Sequence, residues 1–247
     1  MKTLLQPLLR KLETTFALSN DELAALHALP IKVGEFAKGE QLIGEGDRPI
    51  HSFAIQSGLT CMYKNSSEGR RQILIFHFPG DFPDLQSLHI NVLDMSIAAM
   101  ARATVTFVKH QDIRMLYARH PRLGEALWRM SLVDAAILRE RMLNLGQRKA
   151  FERISHFFCE MVVRSKLAEL MVDDTVPMPL TQQEIGDALG LSNIHVNRIT
   201  QELKEKKLME VRRGRLHVLN WKKLRAAADF DATYLHLTPA QKLLLDR

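Results

Sequence analysis

The stretch LTQQEIGDALGLSNIHVNRITQELKEKKLMEVRRGRLHVL, residues 180–219, decides the fold of the C-terminal part of this chain. Thr181 and Glu184 have the spacing of a capping box, which predicts the start of a helix. Gly190 follows where the chain needs a left-handed turn residue, and Ser192 is placed to cap a second helix. Two short helices joined by a tight glycine turn predict a helix-turn-helix.

Both helices carry an apolar stripe at helical spacing, which predicts the sides that face a core. The stripes are Ile185, Ala188 and Leu189 in the first helix, and Val196, Ile199 and Leu203 in the second. Two short β-like runs then follow around Gly214 and predict a wing. The tip of this wing carries three arginines, Arg212, Arg213 and Arg215.

The opposite side of the second helix is predominantly polar. Its predicted exposed residues are Asn193, Ile194, His195, Asn197, Arg198 and Gln201. Asn, Gln and Arg side chains make paired hydrogen bonds to base edges in the major groove. The helix N-terminus and the Ser192 hydroxyl suit contact with phosphate. The segment therefore predicts binding to double-stranded DNA.

Basic residues are concentrated in the same part of the chain. The formal net charge is +6, from 34 Lys and Arg against 28 Asp and Glu. Residues 195–225 contain ten basic and three acidic residues, a local net charge of +7. A cluster of this kind is typical of a protein that binds a polyanion such as nucleic acid.

Length and composition indicate a folded protein of one or two domains. The chain has 247 residues, of which 46% are hydrophobic and 25% charged, as in ordinary globular proteins. No apolar run approaches the roughly 18 residues of a membrane span. The N-terminal segment MKTLLQPLLRKLETTFALS is interrupted by a proline and charged residues, so we expect an amphipathic helix and not a signal peptide. Two cysteines are too few for a disulfide framework, which favours a reducing cytoplasm.

In the chain before residue 121, the sequence pattern changes from helical to β-like at Pro30. Residues 1–29 are predicted to be helical, with Leu4, Leu5, Leu8, Leu9 and Leu12 at helical spacing. Short runs separated by glycines then predict a β sandwich or barrel, with residues 65–69 as a hairpin loop. The predicted strands are Ile31–Ala37, Ser52–Gln56, Leu59–Tyr63, Arg71–Phe78, Ser96–Ala101 and Thr104–Val108.

Pro121 opens a predicted helix of about 25 residues with apolar side chains mostly three or four positions apart. An apolar stripe of this length needs a partner. We expect the helix to pair with its copy in a dimer, the alternative being that it packs on its own domain. Gly146 is predicted to stop this helix or to act as a hinge.

The order of these parts resembles the cyclic-AMP-receptor/fumarate–nitrate-reduction (Crp/Fnr) family of bacterial transcription regulators over nearly the whole chain. GEQLIGEGD at 39–47 and PGD at 79–81 are similar to the family's effector domain, and RERMLNLG at 139–146 is similar to its dimerisation helix. The resemblance implies an α+β fold, a homodimer on a pseudo-palindromic DNA site, and RNA polymerase as a partner. It divides the chain into a jelly-roll, cyclic-nucleotide-binding-like domain at 1–120, a dimerisation helix at 121–146, a winged helix-turn-helix domain at 147–228 and a tail at 229–247.

The resemblance also implies roles for residues of the helix-turn-helix. Arg198 matches the position that contacts guanine, through its two-pronged guanidinium. Four other residues, Gln182, Gln183, Ser192 and His195, match positions that commonly contact phosphate. Asn193 and Ile194 stand where the best-known member has Arg and Glu, so the DNA half-site of this protein need not match that member's.

The effector domain departs from the pattern of members that bind cyclic AMP. Those members hold the phosphate with a Gly-Glu turn and an Arg-Ser pair. Here Pro83 stands near the expected Gly and lacks an N–H, and Asp84 stands in the place of Glu. Asp94-Met-Ser96 lacks the Arg, so we expect no cyclic nucleotide to bind. The residues that correspond to the effector pocket are Phe82, Asp84, Leu85 and Ser96, and an unknown small-molecule effector remains open.

Other cofactors are not predicted either. Cys61 and Cys159 cannot provide the four ligands of an iron–sulfur cluster within one chain. Haem would need an axial ligand such as His77 or His89, but no haem motif accompanies either residue. We expect both cysteines to be packed thiols, with a redox-sensing Cys61 as the alternative.

Two other functional classes are weaker interpretations of the sequence. A metal-dependent, cupin-like enzyme would need closely spaced His and Glu ligands on strands, and the chain has no His-x-His pair. A helix-turn-helix used only for protein contacts would not need the basic residues at the wing or at Lys222 and Lys223. The tail FDATYLHLTPAQKLLLD, 230–246, contains a Thr-Pro helix start at 238–239 and is expected to dock on the protein, since an exposed run of Leu243–Leu245 would be adhesive.

Overall fold

The computed structural model describes residues 5–245 and contains two compact units. Unit 1 comprises Met1–Lys64 and Ile75–Ala135, and unit 2 comprises Asn65–Leu74 and Ala136–Arg247. The division falls inside a helix, whereas the sequence suggested boundaries after residues 120 and 146.

Unit 1 combines two antiparallel β-sheets with helices at both ends of its chain segment. One sheet has the strand order β1-β7-β3 and the other the order β2-β6-β4-β5. Phe53 of β3 lies opposite Phe107 of β7, and the register shifts between Ile55 and Ser57. The elements are α1 (Gln6–Glu13), α2 (Asn20–His27), β1 (Ile31–Phe36), β2 (Gln41–Ile43), β3 (His51–Ser57), β4 (Thr60–Asn65), β5 (Arg71–His77), β6 (Ser96–Ala99), β7 (Ala103–Lys109), α3 (His110–Arg119) and the first half of α4 (Pro121–Gln147). The last residue of β4 and the first four residues of β5 fall within unit 2.

Two apolar clusters hold unit 1 together. The first consists mainly of residues from the strands and includes Phe53, Ile97 and Val105, three fully buried side chains. The second lies where the helices cover the β structure, and includes Leu9 of α1, Leu26 of α2 and side chains of α3 and α4. The amphipathic N-terminal segment thus packs on the β structure through the second cluster.

The predicted strands of unit 1 are confirmed to within one or two residues at each end. The short strand β2 and helix α3 were not predicted. The predicted helix over 1–29 is instead two helices, because Ser19 accepts a hydrogen bond from Glu22 N and caps the start of α2. Leu4 lies outside the described residues. Helix α4 continues through Gly146 and ends at Gln147, so Gly146 is a helical residue of the last turn and does not stop the helix.

Unit 2 is built around α5 (Ala150–Leu167), which is buried along most of its length. A three-stranded sheet of order β8-β10-β9 and the two helices of the helix-turn-helix belong to the same unit. The remaining elements are β8 (Thr175–Pro177), α6 (Gln182–Leu189), α7 (Asn193–Glu205), β9 (Met209–Arg212), β10 (Arg215–Val218), α8 (Trp221–Ala228) and α9 (Pro239–Leu245).

The two prolines of residues 173–179 forbid a helix and predict a loop, but residues 175–177 of this segment form strand β8. Pro177 stands opposite Arg215 at the end of an edge strand. A proline is tolerated on an edge strand, because its missing N–H does not interrupt a ladder on both sides. The loop prediction was therefore wrong for residues 175–177.

The C-terminal tail docks on unit 2, as predicted. Thr238 accepts a hydrogen bond from Gln241 N and begins α9, and the Trp221 indole N–H donates to the carbonyl oxygen of Leu245 at 3.1 Å. Leu245 is buried, but Leu243 and Leu244 are exposed, so the expectation that docking covers all three leucines was wrong. A seven-residue helix that packs by one edge leaves its other side in solvent.

Candidate nucleic-acid interface

Helix α6 and the turn after it have the geometry that their sequence predicts. Glu184 N donates to the Thr181 hydroxyl at 3.2 Å, and Thr181 N donates to the Glu184 carboxylate at 2.6 Å. Gly190 ends the helix in the left-handed region, with φ 63° and ψ 37°. These local contacts fix both ends of the helix that supports α7.

Gly186 has a role that the sequence analysis missed. A Cβ atom at this position would lie 2.4 Å from the carbonyl oxygen of Leu191, closer than any side chain tolerates. The Leu191 N–H donates to the Gly186 carbonyl at 3.2 Å. The turn between α6 and α7 therefore packs directly against Gly186. The available signal was a second glycine four residues before Gly190.

Helix α7 has one side in the core and one side in solvent. Ser192 caps it by accepting a hydrogen bond from His195 N at 3.4 Å, and Val196, Ile199 and Leu203 are buried. The predicted outer residues are all exposed: Asn193, Ile194, His195, Asn197, Arg198 and Gln201. The local pattern of cap and stripe thus orients α7 as expected, and its first-turn N–H groups point out of the helix start, where they attract anions.

His195 is held at the start of α7. Its Nδ1 atom lies 3.0 Å from the Ser192 hydroxyl, which fixes the ring beside the helix N-terminus. This position suits contact with a phosphate that lies against the first turn. Gln182 and Gln183 are exposed at the start of α6, and the Gln183 amide donates to the Asp187 carboxylate at 2.7 Å. Gln183 is therefore partly engaged within its own helix.

The wing is the hairpin of β9 and β10. Arg213 and Gly214 form its two-residue turn with φ values of 51° and 71°, as expected where both central residues of a hairpin turn are left-handed. Arg213 is exposed at this tip. Arg212 is also exposed, and its Nε atom lies 3.2 Å from His217 Nε2.

Arg215 differs from the other two wing arginines. Its Nε atom donates to the Thr175 hydroxyl at 2.7 Å and its Nη2 atom to the Thr175 carbonyl at 3.1 Å. The side chain is only partly exposed. Arg215 thus joins β10 to β8, a strand that the sequence analysis had not predicted, and its guanidinium group is partly engaged within the domain.

The residues of the predicted effector pocket are all buried in unit 1. Phe82 and Leu85 belong to the apolar cluster beneath the helices. The Ser96 hydroxyl accepts a hydrogen bond from Glu45 N at 3.0 Å. Asp84 accepts one from Phe53 N at 3.0 Å, and burial raises the pKa of its carboxyl to about 8. None of these four side chains is a cation that could neutralise a phosphate.

The histidines considered as haem ligands lie in different environments. His77 is fully buried, and its Nε2 atom lies 3.3 Å from the Asp134 carboxylate. His89 is exposed.

Both cysteines are fully buried, as predicted for packed thiols. Burial raises the pKa of the Cys159 thiol far above its usual range. A buried thiol is a poor nucleophile and a poor redox sensor, because oxidants react with exposed thiolates. The redox-sensing alternative for Cys61 therefore gains no support from its position.

Within residues 5–245, none of the helices is both long and apolar enough to cross a lipid bilayer. The same residues contain no group of three or more His, Cys, Asp or Glu side chains arranged to hold a metal ion.

The sequence matches two family models that correspond to the two functional regions. Residues 33–120 match the cyclic nucleotide-binding domain, and residues 152–227 match the Crp-like helix-turn-helix domain. The second match includes α6, α7 and the wing and ends before the tail.

Two curated relatives and one solved structure are similar to this chain over most of its length. The transcriptional activatory protein AadR of Rhodopseudomonas palustris is 30% identical over 191 residues, covering 76% of this chain and 78% of AadR. The nitrogen fixation regulation protein FixK of Bradyrhizobium diazoefficiens is 28% identical over 196 residues, covering 78% of this chain and 80% of FixK. The structure of FixK2 from Bradyrhizobium japonicum superposes with a TM-score of 0.75 at 26% identity, covering 83% of this chain and all of that one.

Proposed function

This chain belongs to the Crp/Fnr family of bacterial transcription regulators, and we propose that it acts as a cytoplasmic homodimer that binds a two-fold symmetric DNA site. It is a sequence-specific DNA-binding regulator with a cyclic-nucleotide-binding-like domain. The observation that carries the proposal is the two-sided α7, whose core side is buried and whose exposed side carries Asn193, Asn197 and Arg198.

Helix α4 supports the homodimer. Trp128, Leu132, Met142 and Leu143 are large apolar side chains of this helix that are exposed. Trp128, Leu132, Ala135 and Met142 follow steps of four, three and seven residues, the spacing of a coiled-coil seam. The helix has 27 residues, or about 40 Å at 1.5 Å per residue, enough to present a long seam to a second copy.

A dimer explains how two copies of α7 meet one DNA site. Successive major grooves on one side of the duplex are about 34 Å apart, so each copy contacts one half-site. Arg198 recognises guanine in each half-site, and Arg212 and Arg213 of the wing neutralise phosphates. RNA polymerase is a further partner that the family resemblance implies. No enzymatic activity is proposed for the chain.

The effector domain works without cyclic AMP in this proposal. Pro83 has no N–H to donate to a phosphate, and at Asp94-Met-Ser96 a carboxylate lies near the place where the Arg that would neutralise a phosphate is missing. No iron–sulfur cluster or haem is required. Any signal is a different small molecule, or the dimer binds DNA constitutively.

Selection from random double-stranded DNA tests the proposal. The purified full chain is used without ligand at physiological salt, with Arg198→Ala as a parallel sample. The expected result is an enriched two-fold symmetric site, with one position in each half-site losing its preference in the variant. Only uniform, salt-sensitive binding with no enriched sequence would overturn the proposal.

A further inference from the structure

Ile194 is the most exposed large apolar side chain of residues 5–245, with 76% of its surface accessible. It is the second residue of α7, directly after Asn193. The core of the domain does not need it, because Val196 and Ile199 on the other side of the helix are already buried. While the domain is unbound, this isoleucine lacks the favourable free energy that burial of its side chain would contribute.

The position of Ile194 on α7 places it in the same row as Arg198. Residues four apart lie on the same side of a helix, and Gln201 continues this row at the seventh position. The N-terminal residues of a recognition helix approach the base edges most closely. Any partner that contacts Arg198 along this side of α7 therefore also covers Ile194.

The polar neighbours of Ile194 identify its counterpart. In the major groove, N and O groups of the bases face hydrogen-bonding side chains, whereas the C5-methyl group of thymine is the one apolar feature. Asn193, Asn197 and Arg198 provide the hydrogen-bonding groups. We propose that Ile194 is a specificity-determining residue that packs on a thymine methyl group beside the base pair contacted by Arg198.

The same side chain would also disfavour other bases at that position. Isoleucine has no acceptor for the amino group of cytosine or adenine, so these bases would bury an unsatisfied donor. The inference rests on the proposed function, because it assumes that the exposed side of α7 enters the major groove. It adds a prediction of base type at one position in each half-site.

Replacement of thymine by deoxyuridine tests the inference, because it removes only the methyl group. Each thymine that is invariant in the selected site is replaced in turn, in both half-sites, and the Kd is measured for the full-length protein and for Ile194→Ala. Loss of about 0.8 kcal/mol for a buried methyl group corresponds to about a fourfold weakening per half-site, or about sixteenfold for the symmetric double replacement. We expect this loss for the unchanged protein at one position and no loss for Ile194→Ala.

Leu243→Ala is the matched control, because Leu243 is similarly exposed at 66% but lies in the tail helix α9. This variant is expected to discriminate thymine from uracil as the unchanged protein does. Equal discrimination by Ile194→Ala would overturn the inference and would assign Ile194 to a protein contact instead. Failure to select any site would remove the proposed function together with this inference, whereas a selected site without coupling to Ile194 would remove the inference alone.

Discussion

The hydroxyl group of Tyr234 donates a hydrogen bond of 2.9 Å to Glu160 Oε2, and this contact fastens the C-terminal tail to the centre of α5. Glu160 is buried, and its other oxygen lies 3.3 Å from Arg141 and 3.7 Å from Arg164. Burial raises the pKa of the Glu160 carboxyl, but the two guanidinium groups outweigh it and the pKa is lowered overall. The tail thus completes the coordination of a buried anion by residues of α4 and α5.

Tyr234→Phe should destabilise unit 2 by about 2 kcal/mol, because it leaves one side of a buried carboxylate without its donor. Urea unfolding of the full chain measures this change. Tyr63→Phe is the matched control, since the Tyr63 hydroxyl bonds to Gln41 at an exposed site and its loss should cost less than about 0.5 kcal/mol. Equal effects of the two variants would show that the tail contact does not contribute to stability.

Gly186→Ala should disrupt the turn between α6 and α7, because the new Cβ would lie 2.4 Å from the Leu191 carbonyl oxygen. We expect a loss of a few kcal/mol in unfolding free energy and weak DNA binding. Gly146→Ala is the control: its Cβ meets no atom within 4 Å, and it replaces glycine in a helix, so it should gain up to about 1 kcal/mol. A Gly186→Ala protein as stable as the parent would contradict this account.

Much of the DNA-binding region could be predicted because its signals are local. The signals are the Thr181–Glu184 capping box, the turn residue Gly190 and the cap residue Ser192. Each acts within four residues along the chain, and each has the predicted conformation. The missed features depend on residues far apart in the chain. Arg215 contacts Thr175, forty positions away, and Tyr234 contacts Glu160, seventy-four positions away.

The β-rich region was predictable for a different reason. Glycine turns and alternating patterns locate the strands, but they do not specify which strands pair. The short strand β2 lacks an alternating pattern, and it forms because β6 lies beside it in the sheet. Pairings of this kind follow from the tertiary fold and not from three consecutive residues.

Arg198→Ala should weaken binding to the selected site by about 1–3 kcal/mol per contact and abolish preference at one base pair per half-site. Arg213→Ala should weaken binding to all sequences about equally and reduce the salt dependence, because the proposed contact of this exposed wing-tip residue is with phosphate. Equilibrium titrations at two salt concentrations separate these effects. A sequence-selective loss in Arg213→Ala would contradict its assignment.

Trp128→Glu should convert the proposed dimer to a monomer, because it places a charge in the proposed apolar seam of α4. Sedimentation analysis over a range of concentrations measures the association. Met115→Glu is the control, since Met115 is also exposed, at 44%, but belongs to α3. A Trp128→Glu protein that sediments as the parent does would exclude this seam as the interface.

Asp84 should make the stability of unit 1 depend on pH. The unfolded chain releases this proton near pH 4 and the folded chain near pH 8, because burial raises the pKa of the carboxyl. The free energy of unfolding therefore falls as the pH rises through this window, by up to about 1.4 kcal/mol per pH unit. Asp84→Asn should remove this slope.

Measurement between pH 7 and 8 reduces the overlap of the Asp84 effect with those of His110 and His156. Burial lowers the pKa of both imidazoles, and their opposite contributions fade as the pH rises above about 6.5, because the unfolded histidines then also become neutral. Asp94→Asn serves as the control, because the Asp94 side chain is 82% exposed. An unchanged slope in Asp84→Asn would show that Asp84 is not protonated in the folded protein.

The two sides of α7 have a consequence for how such a regulator acquires new targets. The Ser192 cap and the buried Val196, Ile199 and Leu203 keep the helix in place, and none of them belongs to the outer row that holds Ile194 and Arg198. Substitutions in that row do not alter the packed core, so the stability of the domain stays almost unchanged. The preferred DNA site can therefore change by one base pair at a time, while the fold that presents the helix stays the same.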